Sequence, residues 1–288
     1  MSTTLIIVLF GLGVGLSVGT VSSLGRPASR IADSVRRRIT SVVAHRPRLA
    51  AFVRRRLDRT EAGGLLLTAG LITVLILAVT VGVVLDAALS DSRAAGWDTA
   101  VAEYGARHAE LRSVDFYAAL THLGGPPGVV GVTLAVAAWG WWRFRTPQVA
   151  LFMVTVAAGQ ALISTGLKAI VGRERPDLAH LAPWSGSSFP SGHAAAAAAV
   201  FAASALVLSH RRRRVPRALI GAGAGLVIGV VAATRALLGV HWLTDVVAGV
   251  AVGLAWFVVV AIAFGGRLMR FGEPKDEMAL AGPAGETR

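Results

Sequence analysis

The chain has 288 residues, 54% of them hydrophobic and 16% charged, with a formal net charge of +13 and a mean hydropathy of +0.63. A soluble domain is about a quarter charged, so the deficit argues against a soluble protein and for a chain built into a bilayer. There is no cysteine, which excludes structural disulfides, iron–sulfur clusters and cysteine nucleophiles.

Seven apolar stretches without charge follow in order: Thr4–Gly25, Gly63–Leu85, Leu123–Trp142, Thr146–Leu167, Gly192–Ser209, Ala218–Thr234 and Val246–Gly266. Each is at or near the ~20 helical residues that cross a hydrocarbon core. The runs are continuous rather than alternating, which speaks for helices and against a β-barrel. The expected fold is therefore an all-α integral membrane bundle. The first run lacks a basic leader and a clear cleavage site, and strong positive charge follows it, so a retained helix is expected rather than a secretory signal.

The arginines crowd into Arg26–Arg59 and Arg211–Arg217, both between apolar runs. That pattern marks cytoplasmic loops and not a nucleic-acid footprint, so no nucleic-acid partner is expected. The Arg26–Arg59 segment reads as an amphipathic element on the anionic inner leaflet. With it inside, the loop Asp86–His122 falls outside, and carries Asp86, Asp91, Asp98, Glu103, Glu110 and Asp115. Counting onward, Lys168–Ser191 and Arg235–Asp245 also lie outside. Cations there run against the topology rule, and this is where function is expected.

Three outer segments carry the chemistry. The first, Lys168 to Arg175-Pro176, holds one of only two lysines among 29 basic residues. Lys168 and Arg175 are seven apart, about two helical turns, and can share a face before Pro176. The second, Pro190-Ser191-Gly192-His193, opens a helix whose free N–H groups and dipole favour phosphate. Ser191 adds a hydroxyl, Gly192 permits close approach, and His193 is placed to donate a proton. In the third, Arg235 supplies a planar fork for an oxyanion. His241 and Asp245, four apart, are expected on one helix face, the carboxylate holding one imidazole nitrogen and freeing the other.

These residues resemble the type-2 phosphatidic acid phosphatase superfamily, whose catalytic core is shared with vanadium haloperoxidases. The pattern is Lys, six residues, Arg-Pro; then Pro-Ser-Gly-His; then Ser-Arg, five residues, His, three residues, Asp. Thr234 stands where serine is usual. The resemblance implies a six-helix lipid phosphatase domain over residues 63–266. It leaves a transmembrane helix with its Arg-rich cytoplasmic segment at 1–62 and a polar cytoplasmic tail at 267–288. It implies that His241 attacks phosphorus to give a phosphohistidine, oriented by Asp245, while His193 protonates the leaving oxygen. Lys168, Arg175, Arg235, Ser191 and the Gly192 N–H would hold the phosphoryl oxygens. No metal or other cofactor is implied, and the partners are a lipid phosphate or diphosphate and the surrounding membrane lipids. The expected setting is the plasma membrane with the site facing outward. An isoprenoid carrier such as undecaprenyl diphosphate is the first-choice substrate, with phosphatidylglycerophosphate, phosphatidate and diacylglycerol diphosphate as alternatives. Oligomeric state is not legible.

Three rival classes fit the residues less well. A metal site of His193, His241 and Asp245 is opposed by the three nearby cations. A non-catalytic lipid-binding protein has no need of both histidines and the carboxylate. A transporter would place its ionisable residues at the midplane rather than at one edge.

Overall fold

A computed structural model describes residues 62–90, 93–108, 111–177, 181–210 and 212–268. The expected first span, the Arg-rich segment and most of the polar tail lie outside the described residues. Among these, eight helices and no strand are found. They are α1 (Ala62–Leu89), α2 (Arg93–Arg107), α3 (Leu111–Thr121), α4 (Pro126–Phe144), α5 (Gln148–Val171), α6 (Gly192–Ser209), α7 (Arg214–Leu237) and α8 (Leu243–Leu268).

Five of them, α1, α5, α6, α7 and α8, contain stretches long and apolar enough to cross a membrane. The expected span Leu123–Trp142 differs: α4 meets the criterion only together with the end of α3, from which it is bent by 44°. Gly125 caps α4, and prolines occupy its first positions, where a missing N–H costs nothing. The bend falls where His122–Gly125 interrupt the helix.

Helix α6 is the centre of the bundle, packed against α7 and α8, while α1 lies along the outside of α8. The α6 sequence runs through six consecutive alanines, Ala194 to Ala199, of which all but Ala196 are fully buried. Such a face lets a neighbour approach backbone to backbone. On α8, Gly249 and Gly253 supply the matching surface. A Cβ on Gly249 would stand 2.6 Å from the Ser191 carbonyl oxygen, and one on Gly253 2.2 Å from that of Ala195. Asp245 sits one turn ahead of Gly249, so this contact draws it to the start of α6, where its carbonyl accepts from the Ser191 N–H at 3.0 Å. A separate apolar core under α4, α5 and α8 gathers Phe152, Met153, Val156, Val200 and Val260.

Candidate active site

The C-terminal ends of α5 and α7 and the N-terminal ends of α6 and α8 lie at one end of the bundle. The arginines of Arg143–Arg145 and Arg212–Arg217 lie at the other ends of the same helices. All three motif segments therefore meet at a single edge, as expected.

Lys168 occupies the last turn of α5, which closes at Gly172 with φ of 63°, a left-handed value that glycine adopts without strain. Arg175 is thus not on the helix, and the expected shared face gives way to a loop. The two cations converge nonetheless. The Lys168 ammonium donates to the Ser187 carbonyl, and Arg175 reaches the same oxygen at 3.3 Å. Arg175 also donates to the carbonyls of Gly186 at 3.0 Å and Ser185 at 2.9 Å and to that of Val240. Its guanidinium stacks over the Trp184 ring, 5.0 Å from the centroid. A guanidinium has five N–H donors, so an incoming phosphate would have to displace loop carbonyls to take this fork.

Ser191 precedes the first residue of α6. Its Oγ is buried and has no hydrogen-bond partner, and neither has the buried Nε of Arg235. Arg235 is 3% exposed, and among the described residues its side chain makes one hydrogen bond, at 3.5 Å to Thr121 Oγ1. Buried donors without partners are rare and costly, and both are the kind an oxyanion satisfies. His193 stands one position inside α6 and packs against the α3–α4 bend, where a Cβ on Gly125 would come within 3.1 Å of its Nε2. Thr234 does not reach the pocket: its hydroxyl donates to the Val231 carbonyl at 2.8 Å. The change from serine therefore alters helix packing rather than the site.

His241 is not on a helix with Asp245. It precedes α8, whose first turn holds Asp245, and the turn between them is closed by the Trp242 N–H donating to Asp245 Oδ2 at 3.0 Å. The expected pairing survives by this different route. His241 Nδ1 lies 3.8 Å from Asp245 Oδ2, and Ser188 stands beside both. Its Oγ is 3.4 Å from Nδ1 and donates to Asp245 Oδ2. A hydroxyl that donates to the carboxylate accepts from the ring, which assigns the proton to Nδ1 and the lone pair to Nε2. Nε2 faces the basic side chains, 3.4 Å from an Arg175 nitrogen. Burial pushes His241 down to about 4, Arg175 and Arg235 acting in the same direction and Asp245 opposing. The imidazole is therefore neutral at pH 7, as a nucleophile must be. Burial also lowers Arg175, with Asp245 opposing.

Sequence reasoning missed four side chains here. Ser188 is one. Arg173 donates to Asp245 Oδ1 at 2.5 Å and to Thr244 Oγ1 at 2.8 Å, and pairs with Asp98 at 2.9 Å. Thr244 in turn bonds Asp98 through both its N–H and its hydroxyl. Asp98 had been counted only as exterior charge, yet it is 2% exposed. Phe189, next to Ser188, is fully buried. No group of three or more His, Cys, Asp or Glu suited to a metal ion occurs among the described residues.

Residues 148–268 match the PAP2 superfamily model, a stretch that contains every motif residue. The chain is 32% identical over 157 residues to phosphatidylglycerophosphatase B of Bacillus subtilis, covering 53% of this chain and 75% of that protein. It is 38% identical over 125 residues to a lipid A 1-phosphatase of Rhizobium johnstonii, covering 40% of this chain and 46% of that one. In three dimensions it resembles the crystal structure of a transmembrane PAP2-type phosphatidylglycerolphosphate phosphatase from Bacillus subtilis. The TM-score is 0.63 at 26% identity, covering 69% of this chain and 98% of the other. The chain belongs to the PAP2 superfamily. It is a multi-pass membrane lipid phosphatase.

Proposed function

We propose that the protein hydrolyses a phosphate monoester or diphosphate of a membrane lipid at the outer face of the plasma membrane, through a phosphohistidine on His241. The observation that carries this reading is the unpartnered, buried pair of Ser191 Oγ and Arg235 Nε, at the same helix ends as a neutral His241. A phosphoryl group satisfies both donors. Lys168, Arg175 and the Gly192 N–H complete the cradle, so that developing charge meets preorganised donors. His241 Nε2 attacks phosphorus as the bond to the leaving oxygen breaks, and His193 gives that oxygen its proton. Water then attacks the phosphohistidine, with His193, left neutral by the first step, taking the water's proton, which releases phosphate, frees the neutral His241 imidazole and restores the His193 imidazolium. Asp245 and Ser188 hold His241 in the reacting tautomer and stabilise the charge it gains.

The outward orientation is supported by the arginine clusters at the opposite end of the bundle, which mark the cytoplasmic side. That placement suits undecaprenyl diphosphate, our first-choice substrate. Phosphatidylglycerophosphate is the second reading, favoured by the Bacillus subtilis relative. Phosphate release by the detergent-purified chain is to be compared across undecaprenyl diphosphate, phosphatidylglycerophosphate, phosphatidate, diacylglycerol diphosphate and a lipid A 1-phosphate. The highest kcat/KM on the isoprenoid diphosphate is expected. Preference for a glycerophospholipid would replace the substrate and keep the chemistry, whereas no release from any of them would sink the reading.

A pH profile gives an independent check. Because burial favours the neutral ring, the unreactive imidazolium of His241 forms only near pH 4 and not near the ordinary ~6.5. Between pH 7 and 5, kcat/KM is expected not to fall. A tenfold loss per unit beginning near 6.5 would contradict the assignment.

A further inference from the structure

The loop between α1 and α4 was read from the sequence only as acidic and outside, with no part in the site. Instead α2 docks against the end of α7, closely enough that a Cβ on Gly105 would stand 2.2 Å from the Leu237 carbonyl oxygen. This docking inserts Asp98 beneath the α8 start. Resting on the reading of His241 as nucleophile, we propose that Asp98 and Arg173 are positioning residues for the reaction: Asp98 fixes Arg173, Arg173 fixes the Asp245 carboxylate, and Asp245 fixes His241.

Among the described residues, every side-chain bond of Asp98 points this way. Oδ1 accepts from the Thr244 N–H at 2.8 Å, and Oδ2 from the Thr244 hydroxyl at 2.6 Å and from Arg173 at 2.9 Å. The Arg173 fork spans the two carboxylates, with one nitrogen on Asp98 and the other on Asp245 Oδ1. Its guanidinium also lies 5.5 Å from the Trp242 ring centroid, beside His241. Asp245 is thus held on both oxygens: Oδ1 by Arg173, and Oδ2 by Ser188 and the Trp242 N–H. Only Oδ2 faces the imidazole, so Arg173 acts on the nucleophile by setting the rotation of the carboxylate. Stability alone is a poor account of this cluster. Two carboxylates and a guanidinium are costly to bury, and apolar residues of like volume are often no worse. What the cluster does that apolar residues cannot is fix a charged carboxylate at one angle. Asp98 lies outside the residues 148–268 that match the family model, so the exterior loop contributes to the site of this chain.

The test uses the full chain in detergent with a lipid phosphate as substrate. Asp98→Asn is expected to lower kcat by about 10- to 100-fold, the scale seen when a partner orienting a reactive group from behind is removed. The inhibition constant of inorganic phosphate is expected to stay within twofold, because Lys168, Arg175, Ser191 and Arg235 are untouched. Arg173→Lys, which keeps the charge but loses the fork, is expected to lower kcat similarly and serves if Asp98→Asn does not fold. Asp98→Asn added to Arg173→Lys is expected to cost little more, since both act along one chain. Unchanged kcat, an equal loss of phosphate affinity, or two fully multiplicative effects would each overturn the proposal. His241→Ala is run alongside. If it retains turnover, the reading of the site fails; if it is inactive while Asp98→Asn turns over normally, only this inference fails.

Discussion

Replacing His241 with alanine is expected to leave a folded protein whose phosphate release is slower by roughly 10⁴-fold or more, the scale found when the nucleophile of a catalytic unit is removed. The expectation rests on what surrounds the ring. His241 is 2% exposed, its Nδ1 side is taken up by Ser188 and Asp245, and its Nε2 side points to the cations. No other imidazole in the site has a carboxylate behind it: His193 packs instead against the α3–α4 bend. Thermal unfolding in detergent checks the fold, and phosphate release under single-turnover conditions checks the chemistry. Residual activity within tenfold of the native chain would refute the assignment.

His193→Ala is expected to cost about 10²- to 10⁴-fold in kcat on a lipid phosphate, the usual worth of a positioned general acid or base. The diagnostic lies in the leaving group. A lipid alkoxide leaves poorly without a proton, whereas a nitrophenolate leaves without help. In a single turnover, phosphoenzyme formation from an aryl phosphate is therefore expected to suffer much less than formation from the lipid. Equal losses on both substrates would assign His193 to phosphate binding instead of proton transfer.

Much of this architecture was readable before any coordinates. The span Gly192–Ser209 coincides with α6 as the structure draws it, because hydropathy and the Pro-Ser-Gly start agree at one end and arginines follow at the other. The expected Val246–Gly266 and Gly63–Leu85 lie within α8 and α1, which run a few residues further. Those extra turns carry polar residues that protein contacts accommodate, such as Thr244 and Asp245, and a search for uncharged runs stops short of them. The helices α2 and α3 were not foreseen. Their residues are mixed in polarity, and what holds α2 in place is contact with α7, α8 and α1, a matter of tertiary packing.

The site divides along the same line. Lys168, Arg175, Ser191, His193, Arg235, His241 and Asp245 could be named because they stand at the spacings of a family pattern within short segments. Arg173, Ser188, Thr244 and Asp98 could not. Asp98 bonds partners 75 and 146 residues away, and no local pattern encodes such a pairing. Spacing also misled where it assumed regular helix: Gly172 ends α5 before Arg175, and His241 stands ahead of α8. In both cases the side chains still converge, through loop hydrogen bonds rather than a shared helical face.

The proposed reaction passes through covalent transfer of phosphate to one imidazole, and trapping that species tests it most directly. The native protein is mixed with a lipid phosphate carrying radiolabelled phosphorus, quenched in alkali within one turnover, and digested for peptide mapping. Phosphohistidine survives alkali and decays in acid. The label is expected on the peptide containing His241, lost on acid treatment, and absent from His241→Ala. Label on any other residue, or rapid turnover with no trapped phosphoenzyme at any time point, would contradict it.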